Sequence, residues 1–416
     1  MTKDNKTTIG VFFGSRSPEH DVSIITACSV IKGLREIGFS VVPIYITKDG
    51  RFFLGAATDD PSNETLARVD YFEDGLEKKL SKLNQYDLAL TESQGRLRFV
   101  TETLFTSKTI DVDLAFPCFH GPHGEDGALH GLFQLADIPF VGPDQQASSV
   151  AMDKALTKLI YRQFGIATTD FLYFTRREWG SYEEAILADL ENFSFPLFVK
   201  PARAGSSIGI TRVADKDELA FAITVALNYD SKVVVEEGVE DVADLTVALV
   251  GDEIPEPTEI QESRFESDFF SYDDKYITDG GAQLGGAEKK IIIPAELEPE
   301  LRDQIKEEAC AIFTQFGLSG IARVDFLLDR ATGEVFANEI NTMPGTLYKH
   351  LFEASGVPFA DLLRQLIRAA RRRHSRLDET AYTFDSDILS HASDSKLAKF
   401  DINNELDKES PSNLDF

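Results

Sequence analysis

The segment Arg323-Val324-Asp325-Phe326, followed after a short turn by Asn338-Glu339-Ile340-Asn341 and Met343-Pro344-Gly345, constrains this chain more than any other. Its alternation predicts strands over residues 320–328 and 335–341, with a turn carrying Gly333 between them. Side chains two apart on a strand share a face, so Arg323 and Asp325 point one way and, on the partner strand, Glu339 and Asn341 point one way. A pairing centred on Thr332 sets Asp325 opposite Glu339. Like charges facing each other across a hairpin repel unless a cation lies between them. Two carboxylates and a carboxamide are the oxygen donors a hard cation takes, so the patch reads as a site for Mg²⁺ holding nucleotide phosphates. The other reading is a solvated hairpin face that carries its charges by chance.

The rest of the chain fits a large enzyme. Its 416 residues leave room for two to three domains with sizeable cores. A net charge of −28 argues against nucleic acid or an anionic membrane as a partner. No apolar run approaches twenty residues, and residues 1–8 are polar, which predicts a cytoplasmic protein with no membrane segment. Cys28, Cys118 and Cys310 are scattered, without the paired spacing of a zinc site or a disulfide framework.

An apolar strand over residues 8–13, a helix over about 24–37 and a strand over 41–46 form a βαβ opening, which predicts an α/β fold with a parallel sheet. Residues 48–100 read as an irregular insertion of hairpins and a short helix. The sheet resumes at 114–119 and is followed by a helix over 127–136. A helix over 149–164 opens a second unit, with a strand over 195–200, a helix near 216–227 and a strand over 232–236. The expected divisions are 1–148, 149–236 and 237–373, and the acidic, aperiodic residues 374–416 are expected to form a disordered tail.

Lys200 closes a predicted strand that feeds Pro201-Ala202-Arg203-Ala204-Gly205-Ser206-Ser207-Ile208-Gly209. Two glycines and two hydroxyls in such a loop can cradle a phosphate, although the spacing is not that of a P-loop and a plain Gly-Ser turn reads equally well.

Six motifs occur in an order that resembles the D-alanine–D-alanine ligases of the ATP-grasp superfamily. They are Ser17-Pro18-Glu19-His20-Asp21-Val22-Ser23, His120-Gly121 with Gly124-Glu125-Asp126-Gly127, Met152-Asp153-Lys154, Val199-Lys200-Pro201 with Gly205 to Gly209, Asp274-Lys275-Tyr276, and the segment from Arg323 to Gly345. The resemblance implies a three-domain ATP-grasp fold with an N-terminal parallel-sheet domain. It further implies ATP with Mg²⁺, or Mn²⁺ in its place, D-alanine as substrate, peptidoglycan precursors as destination and a homodimer as the assembled state.

By resemblance, Glu19 grips the ammonium of the first D-alanine, and Ser206 and Tyr276 link to it through hydrogen bonds. The alternative for Glu19 is an acid stabilised at a helix N-terminus. Ser207 contacts phosphate or substrate, and Lys154, Lys200 and Lys275 lie along the ATP phosphates. Glu236, Glu237 and Val239 meet adenine and Asp244 the ribose. His120 stands near the second substrate, or is a hydrogen-bonded histidine in a Gly-Pro turn. Arg323 and the Gly345 N–H clamp the oxyanion of the tetrahedral intermediate, and Asp325, Glu339 and Asn341 hold the metal.

The chain departs from the family pattern in three places. Glu236-Glu237-Gly238-Val239 lacks the usual aromatic or aliphatic residue two places after the hinge acid. The stretch between Tyr276 and Pro294 is long and glycine-rich. Thr346-Leu347-Tyr348-Lys349-His350-Leu351 is several residues short of the serine-bearing segment that meets the second substrate. D-lactate, D-serine or another amino acid therefore stand as alternative acceptors. A nucleotide-binding regulator without catalysis is disfavoured because Glu19, Lys200, Arg323, Asp325, Glu339 and Asn341 are all present.

Overall fold

A strand covered on both faces shows an unbroken apolar run instead of alternation. Ile9, Val11, Phe12 and Phe13 are such a run, each at most 1% exposed. In this computed structural model, which describes residues 7–89, 95–102, 107–264, 291–377 and 379–388, that run lies inside a seven-stranded sheet. Its strands are β1 (Thr8–Gly14), β2 (Ser40–Ile46), β3 (Phe52–Leu54), β4 (Gln85–Ala89), β5 (Leu97–Glu102), β6 (Ser107–Val112) and β7 (Leu114–Pro117), in the order β6-β5-β4-β3-β2-β1-β7. Strand β1 pairs in parallel with β2 and β7. Strands β3 to β6 pair antiparallel and extend the same sheet, so the hairpins expected in an irregular insertion over residues 48–100 are part of it. Short strands with few apolar residues hid that extension.

The first helix, His20–Glu36, begins about four residues earlier than its apolar period predicts. Ser17 accounts for this: its Oγ accepts the Glu19 N–H at 3.1 Å and donates to the His120 carbonyl at 2.6 Å, which closes a tight turn before the helix. The single helix expected over 149–164 is two, Gln145–Met152 and Lys154–Phe164. Asp153 breaks it, with its carboxylate accepting the Ala155 and Leu156 N–H groups at 3.1 and 3.2 Å, a cap that outweighs the continuing helical period.

Two antiparallel sheets follow. The first has the order β10-β9-β11-β8 and comprises β8 (Phe171–Thr175), β9 (Leu197–Pro201), β10 (Thr211–Val213) and β11 (Lys232–Glu237). The second has the order β14-β13-β12-β15-β16 and comprises β12 (Val242–Gly251), β13 (Pro255–Ser263), β14 (Ile291–Ile292), β15 (Gly320–Asp329) and β16 (Val335–Asn341). The helix Pro299–Gln315 buries Ile305, Ile312 and Phe313 in one core with Leu245, Val247 and Val324. Helix Phe359–Leu377 joins the N-terminal core through Leu362, Leu363 and Leu366. It approaches closely because Gly33 has no side chain: a Cβ there would lie 2.7 Å from the Leu363 side chain. The chain divides into two units, Met1–His374 and Ser375–Phe416, and every element of the site belongs to the first.

Candidate active site

Strands β15 and β16 pair in the register that alternation predicts. Asp325 faces Glu339 and Arg323 faces Asn341, with a register shift just after Asp325. Asp325 accepts from Arg323 (Nε at 2.9 Å, Nη2 at 2.7 Å), from Thr246 Oγ1 at 2.9 Å and from Asn341 Nδ2 at 3.2 Å. Glu339 lies 3.8 Å from Arg323 and 3.6 Å from Lys154. Burial, then the Glu339 charge, pushes the Asp325 carboxyl above its usual range, against the pull of Arg323. Burial also opposes the Arg323 charge, but Asp325, Tyr348 and Glu339 outweigh it and hold the guanidinium protonated. This is a patch of oxygen donors whose mutual repulsion is only partly cancelled, and it suits a divalent cation. Among the described residues no group of three or more His, Cys, Asp or Glu could hold a metal. A cation here would complete its shell from phosphate oxygens and water, as Mg²⁺ commonly does.

The hairpin forms one wall of a cavity of about 500 Å³, and β9 and β11 form part of the opposite side. Lys154, Lys200, Ser207, Glu236, Glu237, Val239 and Asp244 all line it, together with Arg323, Asp325 and Glu339. Lys154 donates to the Ala204 carbonyl at 2.7 Å, which ties the helix Lys154–Phe164 to the glycine-rich loop. Lys200 pairs with Glu236. The other oxygen of Glu236 lies 2.6 Å from Lys158, which also reaches Thr168 and Thr169 at 2.8 and 2.9 Å. Burial, then the Arg162 and Lys154 charges, draws the Lys158 ammonium down to about 7, against the attraction of Asp170. A carboxylate held by two lysines is pre-set in orientation, and Glu237 is fixed separately by the Ser194 N–H at 2.7 Å.

The N-terminal domain contributes Glu19, from the turn before its first helix, beside this cavity. Glu19 is 4% exposed and accepts from Ser206 Oγ across the gap between the first helix and the glycine-rich loop. Gly121 and Gly205 let the backbone close around it: a Cβ on either would lie 2.4 or 2.8 Å from Glu19 Oε2. Ser206 and Ser207 adopt φ of 53° and 58°, a left-handed turn that aims both hydroxyls. His120 is buried, with Nε2 2.8 Å from Thr26 Oγ1 and a further bond to the Met343 backbone. Burial lowers its imidazole to about 4, so it is neutral near pH 7. These bonds fit a histidine held in its turn, and they leave its expected place near the second substrate as it stood.

Gly345 is buried at the head of a short turn, Gly345–Tyr348, that faces Arg323. Lys275 and Tyr276 lie outside the described residues.

Sequence reasoning missed three groups. Glu125 is buried, accepts the N–H groups of Gly121 at 2.8 Å and Met343 at 3.2 Å, and so fastens the N-terminal sheet to the segment after the hairpin. Burial, then the Glu19 charge, raises it to about 8. Thr26 bonds both His120 and the Thr346 N–H at 3.0 Å. Lys158 completes the Glu236 cluster, and its spacing of four from Lys154 on one helix was the signal available.

Family models described as the D-ala D-ala ligase N-terminus and C-terminus match residues 8–143 and 160–368. A D-alanine–D-alanine ligase of Acetivibrio thermocellus is 37% identical over 380 residues, covering 89% of this chain and 97% of that protein. The D-alanine–D-alanine ligase of Coxiella burnetii superposes with a TM-score of 0.73 at 28% identity, over 94% of this chain and 99% of that one. VanG D-Ala:D-Ser ligase of Enterococcus faecalis has a TM-score of 0.73 at 32% identity, over 88% and 99%.

Proposed function

The chain belongs to the D-alanine–D-alanine ligase family, and on that premise we propose that it joins two D-alanines at the expense of ATP, through a D-alanyl phosphate, to give D-alanyl-D-alanine. What supports this reading is one cavity lined by two sheets, with a contact from the N-terminal domain beside it. The Glu19–Ser206 contact stands beside it, the Asp325–Glu339 pair lies on its wall, and Lys154 and Lys200 lie along its lining.

A carboxylate is a poor electrophile, so the first D-alanine needs a leaving group. Its carboxylate oxygen attacks the γ-phosphorus, ADP departs, and the amine of the second D-alanine then attacks the acyl carbon. Phosphate leaves with the original carboxylate oxygen, and the amine loses a proton. Glu19, oriented by Ser206, binds the first ammonium. Lys154, Lys200 and Ser207 take the phosphates; Glu236, Glu237, Val239 and Asp244 take the adenine and ribose. Asp325, Glu339 and Asn341 would hold Mg²⁺, or Mn²⁺, which when bound supplies charge neutralisation at the phosphates. Arg323 and the Gly345 N–H receive the oxyanion, a contact of the kind that contributes about 3–4 kcal/mol to the transition state. His120, neutral, and Glu125 position the walls. Lys275 and Tyr276 complete the set by resemblance.

The same reading takes 1–148, 149–236 and 237–373 as domains and the protein as a cytoplasmic homodimer in peptidoglycan precursor synthesis; light scattering checks the dimer. D-serine as the second substrate is the alternative, favoured by the likeness to VanG and by the short segment after Gly345. ADP release measured with D-alanine alone, and with D-alanine plus D-serine or D-lactate, tests both. D-alanine alone is expected to suffice, and absence of ADP at every D-alanine concentration would refute the proposal.

A further inference from the structure

Tyr348 is a buried group on the cavity wall that the reaction scheme above leaves unused. It is 1% exposed, lines the cavity, and carries the Arg323 guanidinium over its ring at 5.0 Å from the centroid. Its hydroxyl lies beside the Thr246 and Gln261 side chains. Thr246 in turn donates to Asp325 at 2.9 Å. Behind the ring stands His350, with centroids 4.8 Å apart, held by Gln261 at 2.7 Å from its Nε2. One side chain thus touches the expected oxyanion clamp with its face and, through one hydroxyl, the expected metal carboxylate.

The backbone that presents it is held in a conformation L-residues avoid. Thr346, Leu347 and Tyr348 have φ of 51°, 56° and 49°, and none is glycine. Each left-handed residue costs about 1–2 kcal/mol, so a run of three persists only where its surroundings over-determine it. Here they do: Leu347 is fully buried, its N–H bonds the Pro344 carbonyl at 2.9 Å, and the Thr346 N–H bonds Thr26. A turn of this kind delivers one ring to one place.

We propose that Tyr348 is a positioning residue that couples the two halves of the reaction, its ring setting Arg323 for the oxyanion and its hydroxyl, through Thr246, setting Asp325 for the metal. The inference rests on the roles given above to Arg323 and Asp325.

Two substitutions separate the arms. Tyr348→Phe keeps the ring and loses the hydroxyl; Tyr348→Leu loses both. Mn²⁺ binding in the presence of a non-hydrolysable ATP analogue is measured by calorimetry, alongside kcat, the KM for ATP and the melting temperature, with Asp325→Asn as the control. Both Tyr348 variants are expected to bind Mn²⁺ about 5-fold more weakly, the effect of losing one polar contact in a charged group's support. Tyr348→Leu alone is expected to lose a further factor of about 10 or more in kcat, with the KM for ATP within about 2-fold of the parent. Unchanged Mn²⁺ affinity in Tyr348→Phe, with loss in Asp325→Asn, overturns the proposal while leaving the metal assignment standing. Equal kcat in the two Tyr348 variants also overturns it, as does a parallel fall of every constant with the melting temperature. Retained Mn²⁺ affinity in Asp325→Asn would instead refute the metal assignment itself.

Discussion

Two left-handed stretches border the cavity, and they are built in opposite ways. The loop after Lys200 has Ser206 and Ser207 at positive φ, flanked by Gly205 and Gly209, and its residues 204–210 are half-buried. The turn Gly345–Tyr348 has three such residues in a row without an inner glycine, and all are buried. In the loop, short polar side chains and glycines ease the conformation, with the Ser206 hydroxyl donated to Glu19 and Ser207 lining the cavity. In the turn, apolar burial and a hydrogen bond from the Thr346 N–H to Thr26 of the first helix impose the conformation. One element is shaped to receive, and the other is a fixed wall.

The largest expected effect separates chemistry from framework. Glu339→Gln keeps the size of the side chain and removes a charge from the cation patch, so ATP turnover is expected to fall by about 100-fold or more while the melting temperature holds. Near-normal turnover at ordinary Mg²⁺ would remove the hairpin from the metal site. Next comes the contrast between the two stretches. Leu347→Ala is expected to cost about 2–5 kcal/mol in chemical denaturation, because it opens a cavity under a strained turn. Ser207→Gly, at nearly the same φ, should shift stability by less than about 1 kcal/mol and act instead on ATP affinity. Similar stability losses for the two would erase the distinction.

A smaller effect is the acid response of the wall. Burial lowers His120 to about 4, His130 to about 3 and His350 to about 4, so below pH 6.5 the unfolded chain takes up protons that the folded one refuses. Glu125, raised to about 8 by burial, works the other way, holding a proton in the folded state that the unfolded chain releases above its ordinary pKa near 4.5. The histidines outnumber it, so stability should fall as the pH drops from 6.5 to 5, by about 1.4 kcal/mol per unit for each net proton. Urea unfolding at pH 6.5, 5.5 and 5.0 measures the slope. His130→Gln should make it shallower, and a flat profile would contradict buried, neutral histidines. Ending the chain after Glu379 is expected to change least, leaving melting temperature and turnover within error, since residues 380–416 are acidic and carry few apolar groups.

The same contrast explains what the sequence disclosed. The hairpin was legible because its information is local: a period of two and a turn fix which carboxylates face each other. The glycine-rich loop was legible as a motif, since Gly205 and Gly209 mark the backbone freedom it uses. The wall was not. Glu125 meets Met343 218 residues away, and Thr26 meets Thr346 320 residues away, so no window of sequence contains either pair. Nothing in Thr346-Leu347-Tyr348 announces a left-handed turn, because the tertiary setting imposes it against local preference. The break at Asp153 could have been read, as aspartate is a favoured cap, but the apolar period ran on through it.

Oxygen transfer from labelled substrate tests the central claim most directly. If the chamber activates a D-alanine carboxylate as an acyl phosphate, then D-alanine labelled with ¹⁸O in its carboxylate must pass one labelled oxygen to the inorganic phosphate released with each dipeptide. Mass spectrometry of that phosphate is expected to show one ¹⁸O per turnover. Unlabelled phosphate, with D-alanyl-D-alanine still formed, would contradict the account.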